Sequence, residues 1–187
     1  MESKKYLMSD YSAFFRIMAN RSRFRILQLL YGETLPLSVS ELARAGNIPM
    51  SKISDQLMVL RKHSLVYCNR EGTIVYYRID REKVSSIIRS YYSLLSLSEN
   101  NYYISHIISD PFSDESYKIY SILANETRCE MMQKIATGEK FVNELCDMFY
   151  LEQPTISMHL NSIQKNNLIY CKKVKTKKYY HIAPLIV

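Results

Sequence analysis

The chain states one pattern twice, and that repeat constrains its fold more than any other feature. Residues 15–79 and 117–182 carry two versions of it. The first opens FRIMANRSRFRILQLLYGE and the second YSILANETRCEMMQKIATGE. Ala19-Asn20 answers to Ala124-Asn125, and Arg23 to Arg128. From Val39 and Val142 onward the offset holds at 103 residues without a gap, so that SKISDQL meets PTISMHL, LVYC meets LIYC and VYYRI meets KYYHI. A unit of this length present only twice is a duplicated domain, because a solenoid needs three or more short units to close a core. Two small domains are therefore expected, 1–98 and 112–187, with a polar, tyrosine-rich linker at 99–111 and a helical turn around Tyr102–Ile108.

Hydrophobic spacing gives each copy the same elements. In the first, a helix starts near Ser9 as N-cap, a second runs over Ser22–Tyr31 and stops at Gly32, and Ser38–Glu41 forms a capping box for a very short third helix. Gly46-Asn47 marks a tight left-handed turn, and Pro49 opens a helix to about His63 with Ile53, Leu57 and Leu60 turned inward. Leu65–Cys68 and Thr73–Ile79 read as the strands of a β-hairpin, with Asn69–Gly72 as its turn. A fifth helix, Arg81–Leu97, follows in copy one only. Copy two is capped at Ser113 and repeats the order. Tyr150 and Lys175 stand there in place of Asn47 and Gly72, so relaxed turn geometry is expected in copy two.

The resulting fold class is mainly α with small β-hairpins (α+β), as two tandem winged helix-turn-helix domains. Such a unit braces one helix against a second, so that the N-terminal side chains of the second reach base edges in a major groove. The hairpin lies along the neighbouring backbone, where Lys and Arg meet phosphate. In copy one the candidates are Ser51, Lys52, Ser54, Gln56, Arg61 and Arg70, with Gln56 suited to adenine. In copy two they are Gln153, Thr155, Ser157 and His159, followed by the hairpin lysines Lys172, Lys173, Lys175, Lys177 and Lys178. Asp55 repels phosphate or selects cytosine. Charge agrees with a polyanion partner: the chain has 25 Lys+Arg against 18 Asp+Glu, and residues 1–97 hold 15 of the former and 8 of the latter.

At these stretches the chain resembles the arsenical-resistance-repressor (ArsR-type) winged-helix regulators, through IMANRSRFRILQLL, VSELARAGNIPMSKISDQLMVLRKHSLV and CNREGTIVYYRI. Copy two matches less closely, through ILANETRCEMM, VNELCDMF, QPTISMHLNSIQKNNLI and KKYYHI. The resemblance implies a transcription repressor that binds double-stranded DNA, paired through its first and last helices. Here that pairing is either an intrachain pseudo-dimer or a homodimer, built from the first helices and Arg81–Leu97. It also implies DNA contact by Lys52, Ser54 and Gln56 and by Thr155, Ser157 and His159. Many members sense metals through a cysteine pair. Ser38 and Ser40 occupy those positions in copy one, and Phe141 and Asn143 in copy two, so no metal and no cofactor is expected, since a hydroxyl does not replace a thiolate at a soft-metal site.

The remaining features exclude other classes. Four cysteines without a close CxxC pair do not make a disulfide framework, and Cys68, Cys129, Cys146 and Cys171 read as inert packing. No apolar run reaches the roughly 18 residues of a membrane span, and no secretory segment opens the chain, so a cytoplasmic address is expected. Four glycines leave little for a phosphate-binding loop, and no nucleophile stands beside a His, so no enzyme is expected. The alternative function is a tandem winged-helix protein-interaction scaffold of the chromosome-segregation type, which sixteen tyrosines would suit.

Overall fold

The structure, a computed structural model, describes residues 6–95, 107, 109–138 and 140–183. Copy one runs α1 (Met8–Met18), α2 (Arg21–Gly32), β1 (Leu37–Ser38), α3 (Val39–Gly46), α4 (Met50–Lys62), β2 (Val66–Glu71), β3 (Ile74–Ile79) and α5 (Arg81–Leu94). Copy two runs α6 (Asp114–Leu123), α7 (Glu126–Ala136), β4 (Lys140–Phe141), α8 (Val142–Phe149), α9 (Gln153–Gln164), β5 (Ile169–Val174) and β6 (Lys177–Ile182). These are two tandem winged helix-turn-helix units, mainly α with small antiparallel sheets. The helical turn expected near Tyr102–Ile108, and most of the linker around it, lies outside the described residues.

Local chemistry explains most boundaries. The repeated Ala-Asn-x-x-Arg element is a cap: Asn20 Oδ1 accepts from the Arg23 N–H at 3.1 Å, and Asn125 Oδ1 from the Arg128 N–H at 3.0 Å. Ser113 caps α6 through the Ser116 N–H at 3.0 Å. The expected cap at Ser9 is displaced, because α1 begins two residues earlier, with Leu7 as N-cap. Asp10 rescues that start by accepting the Leu7 N–H at 2.8 Å. Asp80 caps α5 through the Lys83 N–H at 2.9 Å.

Each wing has a third strand that the sequence does not announce. β1 and β4 are two residues long and pair with β3 and β6 at the tyrosine doublets: Ser38 opposes Tyr76, and Phe141 opposes Tyr179. The hairpin turn is also shorter than expected. Asn69, Arg70 and Glu71 continue β2, leaving only Gly72-Thr73 between strands, because Gly72 at φ +61° reverses the chain within two residues.

The two copies share one hydrophobic core. α1 packs against α6 and α7 as well as against α2 and α5 of its own copy. At the centre, Phe15 is stacked with Tyr120 at 5.7 Å between ring centroids and meets Tyr91 edge-on at 4.9 Å. All three rings are fully buried. Phe24 packs on Tyr117 at 4.9 Å, and Tyr31 on Phe112 at the same distance. Polar groups crossing this boundary are satisfied: the Tyr91 hydroxyl donates to the Cys129 carbonyl (3.1 Å), the Tyr117 hydroxyl to Ala19 (2.9 Å), and Gln28 Nε2 to Phe112 (2.8 Å). The Arg21–Asp114 pair at 3.6 Å is exposed on both sides and contributes little.

Candidate nucleic-acid interface

The braced helix of each copy is held by the same set of contacts. Ile53, Leu57 and Leu60 seat α4 on the core, and Ile156, Leu160 and Ile163 seat α9. Arg23 then joins three elements. Its Nε donates to the Ile17 carbonyl at the end of α1 (3.0 Å), Nη2 to Arg16 (3.3 Å), and Nη1 to Gln56 Oε1 on α4 (3.2 Å). Arg128 makes two corresponding bonds in copy two, with Nε on Ile122 at 2.7 Å and Nη1 on Ser162 Oγ of α9 at 3.2 Å, three residues beyond His159, the counterpart of Gln56. Aligning the two copies matches these arginines without giving them a role. The signal is nonetheless present, since a charged residue matched across two otherwise diverged helices has to do the same job in both.

The tight turn is preserved as well. Asn47 sits at φ 51°, ψ 46°, and Tyr150 at φ 51°, ψ 40°. Relaxed geometry in copy two is therefore overturned: Tyr150 adopts the left-handed turn despite its Cβ, and Lys175 does so at φ 55° where copy one has Gly72. The flanking bonds impose this, with Leu151 N–H on the Cys146 carbonyl as Ile48 N–H is on Ala43. A non-glycine residue held there costs about 1–2 kcal/mol. Gly46, in contrast, does not take a left-handed angle; Asn47 alone makes the turn.

The candidate side chains fall into two groups. Ser51, Lys52, Ser54, Arg61 and Arg70 are exposed, as are Gln153 and all five wing lysines. Gln56, Thr155, Ser157 and His159 are half-buried. Gln56 differs from expectation: its carbonyl oxygen already accepts from Arg23, so two-atom recognition of adenine is left to the second lone pair of that oxygen and the amide NH2. Ser54 donates back to the Met50 carbonyl at 3.1 Å, and Arg70 Nε to Gly72 at 3.0 Å. Lys177 lies over the Phe141 ring, with Nζ 4.4 Å from its centroid. Burial, and then the Arg128 charge, pull the His159 pKa below the ordinary histidine value.

Two sequence patterns of known families match this frame. The pattern described as a helix-turn-helix domain matches residues 18–67, and that of the bacterial regulatory proteins of the arsR family matches residues 125–170. An arsenical resistance operon repressor from Staphylococcus aureus is 32% identical over 76 residues, which cover 38% of this chain and 73% of that protein. The chain belongs to the arsR family. Similar relatives of this arsR protein include the HTH-type transcriptional regulator KmtR of Mycobacterium tuberculosis, 34% identical over 74 residues (40% of this chain, 55% of that protein). An arsenical resistance operon repressor of Staphylococcus xylosus is 31% identical over 71 residues (36% of this chain, 68% of that protein). The matching families are regulatory rather than enzymatic, and the arsR chain is a DNA-binding transcription regulator. The arsR pattern falls on copy two, the copy expected from its motifs to match the family less closely, while copy one matches the general helix-turn-helix pattern.

The positions at which many arsR proteins carry cysteines are filled here by other chemistry. The Ser38 hydroxyl donates to Glu41 Oε2 at 2.6 Å and lies 3.0 Å from Ser40 Oγ, all within the cap of α3. Phe141 is engaged by Tyr179 and Lys177. These groups do not fit a soft metal. Among the described residues no cluster of three or more His, Cys, Asp or Glu could hold a metal ion, and no helix is long and apolar enough to cross a membrane. Of the four cysteines expected to pack, Cys129 lies in the core, its thiol buried 3.7 Å from Met8 Sδ and its pKa pushed by burial up to about 12, and Cys146 and Cys171 pack against the core from its edge. Cys68, Cys146 and Cys171 are half-buried, the two wing cysteines because neither three-stranded sheet is covered on both faces.

Proposed function

We propose that this arsR-family protein is a sequence-specific transcription repressor that binds double-stranded DNA as a pseudo-dimer formed within one chain, without metal sensing at the family's cysteine positions. The domains are 1–98 and 112–187, joined through 99–111. α4 and α9 face successive major grooves, and the two hairpins follow the flanking backbone. Ser51, Lys52, Ser54, Gln56, Arg61 and Arg70 act for copy one. Gln153, Thr155, Ser157, His159 and Lys172, Lys173, Lys175, Lys177 and Lys178 act for copy two. The observation that carries this reading is the common core. Two helix-turn-helix units built on the same arginine clamp and the same left-handed turn are tied to each other by the buried Phe15–Tyr120–Tyr91 cluster. That attachment replaces the helix pairing by which separate chains of a dimeric regulator present two motifs to one duplex.

The test is a genome-wide map of DNA bound by the tagged full chain, followed by anisotropy titrations on the recovered fragments. The expected result is an inverted repeat with unequal halves, bound more weakly as salt rises, and lower transcription in vitro from a promoter that contains it. Binding indifferent to sequence and salt would refute the reading.

A further inference from the structure

The two copies have divided the electrostatics of DNA binding between them. In copy one, residues 39–62 (α3, turn and α4) carry Arg44, Lys52, Arg61 and Lys62 against Glu41 and Asp55, a net +2. In copy two, residues 142–165 carry Lys165 alone against Glu144, Asp147 and Glu152, a net −2. Glu41 and Glu144 cancel in this comparison, because each accepts a backbone N–H at the start of its helix. What remains is one basic residue in copy two against four in copy one, and two acids, Asp147 and Glu152, against Asp55; Asp147 and Glu152 are both exposed, with Glu152 at the N-cap of α9. That end of the helix is the one a recognition helix turns to the duplex, and a carboxylate there repels phosphate.

The wings are divided the other way. Residues 66–79 carry Arg70 and Arg78 against Glu71, whereas residues 169–182 carry five lysines and no acid. Lys173 and Lys178 are direct cross-strand partners. Like charges so placed destabilise a hairpin, and no carboxylate in the wing relieves them. A polyanion would. Screening at physiological ionic strength confines each cluster's effect to about 8 Å, so helix and wing act as separate local terms. The exposed methionines around α9 add nothing to phosphate affinity: Met148 and Met158 are 46% and 60% exposed.

We infer that sequence specificity resides in copy one, with Lys52 of α4 reading guanine, while the copy-two wing supplies sequence-independent anchorage to the phosphate backbone and α9 specifies few bases. This rests on the DNA-binding reading above and adds a polarity to it: the protein recognises one half-site and grips the other.

The experiment is selection of bound duplexes from a randomised 30-base-pair pool by the full-length protein, followed by titrations at 50–200 mM salt. Base preference is expected in one half of the selected site and to be weak in the other. Lys52→Ala is expected to lose about 5- to 150-fold in preference for guanine at one position, with other positions unchanged. Replacing the five wing lysines by Ser is expected to weaken every duplex by the same factor and to reduce the slope of log K against log salt by about 4.5, at roughly 0.9 for each phosphate no longer neutralised. Because wing changes could unsettle the sheet, Asp147→Asn with Glu152→Gln serves as a gain variant that touches no buried group. It is expected to tighten binding without altering the selected motif. Equal base preference in both halves, or a lysine-free wing that changes the motif rather than the salt slope, would overturn the division of labour and leave DNA binding standing. A wild-type chain that enriches no motif and shows no salt dependence would remove the DNA-binding reading itself.

Discussion

If one core serves both copies, damage inside copy one must be felt in the wing of copy two. Phe15→Ala tests this. The ring is fully buried and lies against Tyr91 of its own copy and Tyr120 of the other. Emptying such a site costs about 3–5 kcal/mol, a large part of the roughly 5–15 kcal/mol that holds an ordinary domain together. For a chain of this size, about 4 kcal/mol corresponds to a fall in melting temperature of roughly 8–16 °C. The chain contains no tryptophan, so single reporters can be placed at will. Tyr67→Trp marks the wing of copy one and Tyr170→Trp that of copy two, both at half-exposed positions. The two reporters should share one midpoint in the parent protein, and Phe15→Ala should lower both together. A copy-two reporter that keeps its midpoint while that of copy one falls would show that the halves unfold independently, and the shared core would not hold them as one unit.

Tyr150→Asn should stabilise the protein by about 1 kcal/mol, seen as a rise of roughly 2–4 °C in melting temperature, because it relieves left-handed strain at a side chain 94% exposed. Arg128→Met should weaken binding of the selected duplex at unchanged helical content, since it unties α9 from the end of α6 without emptying the core; unchanged affinity would argue against the clamp. An aromatic disulfide reagent at pH 8 should label at most three thiols of the native chain, with Cys129 reacting only after denaturation, because burial holds its thiol pKa at about 12. His63 and His159 both have pKa values depressed mainly by burial, so the unfolded chain binds protons first as acidity rises. Their contribution is complete above the ordinary histidine value of about 6.5 and is lost as pH falls through the lower folded values. His159→Gln should therefore flatten the decline in urea midpoint below a pH of about 6.5.

The periodic elements were legible because they rest on local chemistry. The Ser113 cap, the Ser38–Glu41 box, the inward triplet of each braced helix and the β-branched hairpin strands each depend on residues a few positions apart, which the sequence displays side by side. The duplication was legible from motifs matched at a constant offset, and the placement of Lys52 and the wing lysines on open surfaces from the hydrophobic pattern of their elements. The two-residue strands β1 and β4 were not, because nothing in Leu37-Ser38 or Lys140-Phe141 calls for a strand until the tyrosine doublets offer a pairing edge. Nor was the left-handed Tyr150: intrinsic preference argues against it, and only bonds from the surrounding turn hold it there. Arg23 and Gln56 are 33 residues apart, and Phe15 and Tyr120 are more distant still. The sequence by itself determined which helices and wings exist and where their charge lies. The tertiary structure alone decided that two copies become one body, that a polar residue is tied up or free, and that strain is tolerated, because those outcomes depend on contacts between segments that chain order keeps apart.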